Sequence, residues 1–67
     1  MTTTREENAL RYWRKQKGLK QTELADLIGM HVTFISLWEN GHSVPPRAVM
    51  ERISEILEKP ITMLFDL

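Results

Sequence analysis

The sequence predicts an all-α fold, a compact bundle of five short helices, and three observations carry that expectation. Apolar residues recur at spacings of three and four almost throughout, no segment alternates apolar and polar residues as a half-buried strand does, and breakers punctuate the pattern at Gly18, Gly29, Asn40-Gly41, Pro45-Pro46 and Pro60. At 67 residues the chain has room for one small core and one domain spanning 1–67, since a chain of this size buries only about 60% of the surface its unfolded form exposes. Such a core supplies only about 3–5 kcal/mol, so self-association is a natural supplement. Cysteine is absent, which removes disulfides and thiolate metal sites as staples.

Each element has its own signal. Thr4 and Glu7 have the form of a capping box that opens a first helix over about 5–17, through Leu10, Trp13 and Arg14, until Gly18 supplies a left-handed stop. Leu24, Leu27 and Ile28 form the apolar stripe of a second helix from about Gln21, which Gly29 ends in the same way. A third helix follows at Val32–Glu39 and stops at Asn40-Gly41. Val49, Met50, Ile53, Ile56 and Leu57 mark a fourth helix starting near Pro46, and Lys59-Pro60 halts it before a last apolar turn, Ile61–Leu67.

Composition excludes several classes. Hydrophobic residues at 42% and charged residues at 27% are globular values, no apolar run approaches the roughly eighteen residues of a membrane helix, and no signal peptide is visible, so the expected compartment is the cytoplasm. The net charge is zero, which taken alone argues against a nucleic-acid partner. Its distribution is uneven. Residues 1–20 hold six Lys and Arg against two Glu, a balance of plus four, and residues 21–67 balance to minus four. His31 and His42 have no Cys or carboxylate at ligand spacing, so no metal is expected, and turn or capping roles suit them better. Ser36, Ser43 and Ser54 lack a glycine-framed elbow, and nothing indicates a cofactor, a small-molecule ligand or an enzyme. Trp13 and Trp38 sit within amphipathic stripes and read as core rather than as base-stacking platforms.

The informative stretch is Gln21–Glu39, where two short helices are joined by a turn around Gly29 too tight for an antiparallel pair. Gly29 can take positive φ at no steric cost, and Ala25 is small enough for close helix approach. Leu24, Ile28, Met30, Ile35 and Trp38 supply the contacts between the helices. Gln21, Leu24, Ala25, Ile28, Gly29, Ile35 and Trp38 match the helix-turn-helix pattern. The longer run from Leu10 through QTELADLIGMHVTFISLWENG to Leu64-Phe65 resembles the phage-repressor, Cro and XRE group of DNA-binding domains. That resemblance implies a lambda-repressor-like fold with the motif at about 21–40 and the recognition helix at about 32–39.

Helical steps of 100° put Phe34, Ile35 and Trp38 on one arc of the third helix, facing the core, and Val32, Thr33, Ser36 and Leu37 on the other. The resemblance implies that this second arc enters the DNA major groove. Thr33 and Ser36 would be polar readers there, and Val32 and Leu37 would pack against thymine methyl groups. Relatives commonly carry Gln, Arg, Lys or Ser on this face, and here no Arg, Lys, Asn or Gln occurs from Val32 to Trp38. Gln21 and Asn40 match the family's phosphate-contacting positions. Lys17 and Lys20 lie close enough to assist, whereas Arg47 reaches the backbone or lies free. Lys20 and His31 stand where the family has N-capping Ser, a loss of around 1 kcal/mol each. Arg14 and Glu39 resemble the family's partly buried ion pair.

The C-terminal residues Ile61, Met63, Leu64, Phe65 and Leu67 are more apolar than one closing turn requires. We expect a homodimer joined through Ile61, Leu64, Phe65 and Leu67, placing two recognition helices on a near-palindromic double-stranded DNA operator as a repressor does. The competing reading is a protein-interaction module that offers the apolar Val32/Leu37 face to another protein.

Overall fold

Three or more apolar side chains per helix cannot be hidden along a single pair of short helices, so the chain must fold back on itself several times. A computed structural model describes residues 8–65, which form α1 (Ala9–Gln16), α2 (Gln21–Ile28), α3 (Val32–Glu39), α4 (Arg47–Leu57) and α5 (Ile61–Leu64). No strand occurs among the described residues, and none of their helices is long and apolar enough to cross a membrane.

The first boundary differs from expectation. The Thr4–Glu7 capping box lies outside the described residues, and within them α1 begins at Ala9 with Asn8 as its N-cap. Asn8 Oδ1 accepts the Arg11 N–H at 3.0 Å, satisfying one of the orphan donors of the first turn. Its Nδ2 donates to the Trp38 carbonyl at 2.9 Å. The start of α1 is therefore tied to α3, thirty residues away, a constraint that periodicity cannot register.

The ends share one device. Leu19, Met30 and His42 N–H groups bond back to the Arg14, Ala25 and Leu37 carbonyls at 3.1, 3.0 and 2.9 Å, closing α1, α2 and α3 in Schellman motifs. Each needs a left-handed residue just before it, and glycine supplies it every time, as at Gly29 with φ 71°. α4 stops at Leu57, slightly before Lys59-Pro60, in the same geometry but with Glu58 at φ 59°. Neighbouring bonds hold this non-glycine residue in place. Lys59 N–H reaches the Ser54 carbonyl at 3.2 Å, Ser54 Oγ donates to the Lys59 carbonyl at 2.6 Å, and Lys17 pairs with Glu58 at 3.2 Å.

All five helices feed one core. Leu10 comes from α1, Leu24 and Ala25 from α2, Ile35 and Trp38 from α3, Met50, Ile53 and Leu57 from α4, and Leu64 with the following Phe65 from the α5 end. Trp13 packs only partly buried against this cluster, with Tyr12 edge-on at 4.8 Å and Lys59 Nζ 4.4 Å above its ring. Leu27 departs from the expected stripe and is 47% exposed. The stripe of α2 centres on Leu24, Ala25 and Ile28, and Leu27 stands about 100° from that centre. In its place Gln21 turns inward.

The turn between α2 and α3 depends on backbone geometry alone, because a Cβ added at Gly29 would meet nothing within 4 Å. Gly29→Ala should therefore cost about 1 kcal/mol through its positive φ. In thermal unfolding this appears as a Tm lower by roughly 4–8 °C, with Gly29→Asn losing less.

Candidate nucleic-acid interface

The site starts from a buried carboxylate. Glu39, the last residue of α3, is 2% exposed, and a charge so placed must be paired or the fold pays several kcal/mol. Arg14 of α1 meets it in a two-pronged fork, Nε to Oε2 at 2.5 Å and Nη2 to Oε1 at 3.1 Å. The third guanidinium nitrogen donates to the Leu19 carbonyl at 2.7 Å. Gln21 Nε2, at the start of α2, adds a bond to Glu39 Oε1 at 3.0 Å. The carboxylate and the guanidinium thus together fasten α1, the α1–α2 turn, α2 and α3, and hold the C-terminal end of α3 at a fixed angle on the scaffold.

His31 secures the other end of α3. Its Nδ1 accepts the Thr33 N–H at 3.1 Å, so His31 acts as a true N-cap and the expected capping loss there does not arise. Because an accepting Nδ1 carries no proton, the Thr33 hydroxyl, 2.8 Å away, is the donor in their second bond. Lys20, by contrast, has no acceptor to cap α2 with. There the reciprocal half of a capping box forms, with the Lys20 N–H donating to Glu23 Oε1 at 2.7 Å.

With both ends held, the outer face of α3 is defined by what remains accessible. Ile35, Trp38 and Glu39 point inward, and Thr33, Phe34, Leu37 and Asn40 are exposed. Two assignments from the helical wheel shift. Phe34, expected in the core, is 42% exposed, because the buried arc centres on Ile35 and Glu39 rather than on Ile35 and Phe34. Its ring still leans towards Trp38, with centroids 6.0 Å apart. Val32 is half-buried and packs against the core, on the opposite flank from Phe34. Ser36 is also half-buried at the edge of the face.

The expected phosphate-contacting residues have varied surroundings. Gln21 is half-buried and commits one amide N–H to Glu39, leaving a second N–H on the same nitrogen. Asn40 bonds back onto α3, Nδ2 to the Ser36 carbonyl at 2.9 Å and to Ser36 Oγ at 3.3 Å. Lys20 is exposed beside the N-terminus of α2, whereas Lys17 pairs with Glu58, just past the end of α4. Arg47 lies alongside Glu51 at 3.5 Å, one helical turn on. Among the residues expected at a dimer contact, Leu64 and Phe65 are 2% and 6% exposed within the chain's own core, Ile61 is half-buried against it, and Leu67 lies outside the described residues. Their apolar surplus is largely consumed by a core that draws on every helix. Met63, at 46%, is the exposed large apolar side chain of α5.

Sequence reasoning placed Phe34 in the core and so missed it on the outer face, whereas the turn or capping role expected of His31 is met by its ring capping α3. Phe34 had a signal, since helical steps put it about as far from Ile35 as Ser36 is, on the other flank. The choice between the two needed the position of Glu39.

A tight turn between α2 and α3, with α3 fixed at both ends and open along its outer face, defines a helix-turn-helix domain. Comparison of the sequence with protein families agrees: residues 10–64 match the family described as Helix-turn-helix. The chain belongs to that family, in its phage-repressor and Cro, or XRE, type. It is 39% identical over 51 residues to the "ImmF control region 10 kDa protein" of Bacillus phage phi105, a match spanning 76% of this chain and 57% of that protein.

Removing one partner of the buried pair should be severe. Arg14→Met or Glu39→Leu alone is expected to cost about 3–5 kcal/mol, because each leaves the other charge buried without a counter-charge. The double variant should lose less than the sum of the two by at least about 1 kcal/mol in denaturant titrations. A coupling near zero would mean that the two side chains stabilise the fold independently. Separately, His31→Ala should lower stability by about 1 kcal/mol and His31→Ser should restore most of it, read from the same titrations.

Proposed function

We propose that this chain is a sequence-specific double-stranded DNA-binding regulator, acting as a repressor that occupies a near-palindromic operator as a dimer. The observation that carries the reading is α3 itself: pinned at its N-terminus by His31 and at its C-terminus by the Arg14–Glu39–Gln21 cluster, with its outer face uncovered. A helix that must enter a groove in one register needs that kind of rigid mounting, since a loosely held reader loses the geometry that specifies bases. Family membership supports DNA as the partner, and a relative named for the ImmF control region supports regulation as the outcome.

In this reading Thr33, Ser36 and Leu37 face the base edges, joined by Phe34, with Val32 contributing from the rim. Gln21, through its second amide N–H, and Lys20, beside the N-terminus of α2, grip phosphates on one side of the groove, and Asn40 does so on the other. Lys17 joins them only by giving up Glu58, an exposed pair worth little. The protein does no covalent chemistry and works in the cytoplasm by occupancy. Dimerisation uses the exposed rim around α5, which includes Met63 and half-buried Ile61, and Val44, 65% exposed beside Leu64 and Phe65.

The apolar Phe34/Leu37 surface also suits a protein partner, and salt separates the two readings. A phosphate-gripping complex loses affinity steeply as salt rises, whereas an apolar protein contact does not. Selection from a random duplex pool at two salt concentrations should enrich a salt-sensitive inverted repeat. Gln21→Ala should then weaken all duplexes alike. Enrichment of nothing at low salt would overturn the DNA reading. In sedimentation at tens of micromolar, Met63→Glu should shift a dimer towards monomer.

A further inference from the structure

We infer that the recognition surface reads C5-methyl groups of pyrimidines, through Phe34 and Leu37 with the Thr33 methyl on the same face, rather than through hydrogen bonds to base edges. The inference rests on the DNA reading above and goes one step further, to the chemistry that is recognised. Three observations on α3 converge on it. The large exposed side chains of this helix are apolar, Phe34 at 42% and Leu37 at 37%. Between Val32 and Trp38 no side chain offers the paired donors and acceptors that Arg, Lys, Asn or Gln present to guanine or adenine.

The polar atoms that remain on the face are engaged with one another. The Thr33 hydroxyl proton is held by His31 Nδ1 at 2.8 Å, which turns that side chain's hydrogen bond towards the N-terminus of α3. Asn40 spends its amide on the Ser36 carbonyl and Oγ at 2.9 and 3.3 Å. To donate a hydrogen bond to a base edge, the Thr33 hydroxyl or the Asn40 amide nitrogen would first surrender an internal bond. Methyl contact asks for no such exchange. In the major groove the apolar feature of a base pair is the pyrimidine C5-methyl, which thymine carries and cytosine lacks unless it is methylated. A surface of this chemistry discriminates thymine from cytosine, and it treats 5-methylcytosine more like thymine than like cytosine.

The probe is the duplex enriched by selection, remade with deoxyuridine in place of each thymidine in turn, which removes the methyl and keeps the pairing. At the contacted positions the wild-type protein should bind the uracil duplex about three- to five-fold more weakly per methyl lost. At the same positions a 5-methylcytosine·guanine pair should be bound more tightly than an unmethylated one, by a similar factor. In Phe34→Ala and Leu37→Ala, whose solvent-facing changes should leave the circular dichroism spectrum intact, the uracil penalty should shrink at the position each side chain covers. Tight, salt-sensitive binding that is indifferent to uracil would overturn methyl reading and leave the DNA reading standing. A uracil penalty undiminished in both variants would also overturn it, since the methyl would then act through duplex shape. Failure to bind any duplex would remove the DNA reading and this inference with it.

Discussion

The carboxylate of Glu39 is the point on which the architecture turns. A buried ion pair adds little net stability compared with well-packed apolar side chains, because desolvating two charges costs about what their attraction returns. Its effect here is on geometry. A fork of two bonds to Arg14, a third to Gln21 and the guanidinium's reach to the Leu19 carbonyl leave one relative arrangement of α1, α2 and α3 in which the buried carboxylate and guanidinium are both paired. Apolar contacts among Leu10, Leu24 and Ile35 tolerate small slips of one helix along another, and hydrogen bonds of fixed direction do not. α3 inherits its orientation from that restriction.

The same economy shapes the surface. A small core drawn from five helices leaves few apolar residues to spare, and the α5 end is used mostly to close it, with Leu64 and Phe65 beneath and Met63 outside. The outer face of α3 runs the opposite way. Its polar atoms serve the helix, as cap and as back-bonds, while Phe34 and Leu37 face solvent at a cost that a monomer of this size would ordinarily avoid. Large apolar side chains exposed on a helix held at both ends make a surface suited to contact.

Much of this was legible in the sequence because it is local. Glycines at 18, 29 and 41 mark left-handed helix ends for a steric reason that needs no partner, and the three- and four-residue apolar spacing gives helix number and type directly. The match of Gln21, Ala25, Gly29 and Trp38 to the helix-turn-helix pattern pointed to the motif, and likeness to that family suggested Arg14 and Glu39 as a pair. Individual faces were read less well. Leu27 and Phe34 are apolar in amphipathic helices and were assigned inward, but amphipathic spacing defines an arc only to within a residue on either side.

Chain order and residue type by themselves determined an all-helical bundle, its turns and the helix that carries the candidate surface, since propensity, capping and periodicity act within a few residues. Only the tertiary structure decided where α1 starts, which flank of α3 is open and what the C-terminal apolar residues cover. Each of those depends on a partner distant in the chain: Asn8 on the Trp38 carbonyl, the rotation of α3 on Glu39 meeting Arg14, and Leu64 and Phe65 on a core shared by all five helices. Contacts of that kind are selected by simultaneous packing and by the satisfaction of buried charge, neither of which a linear pattern encodes.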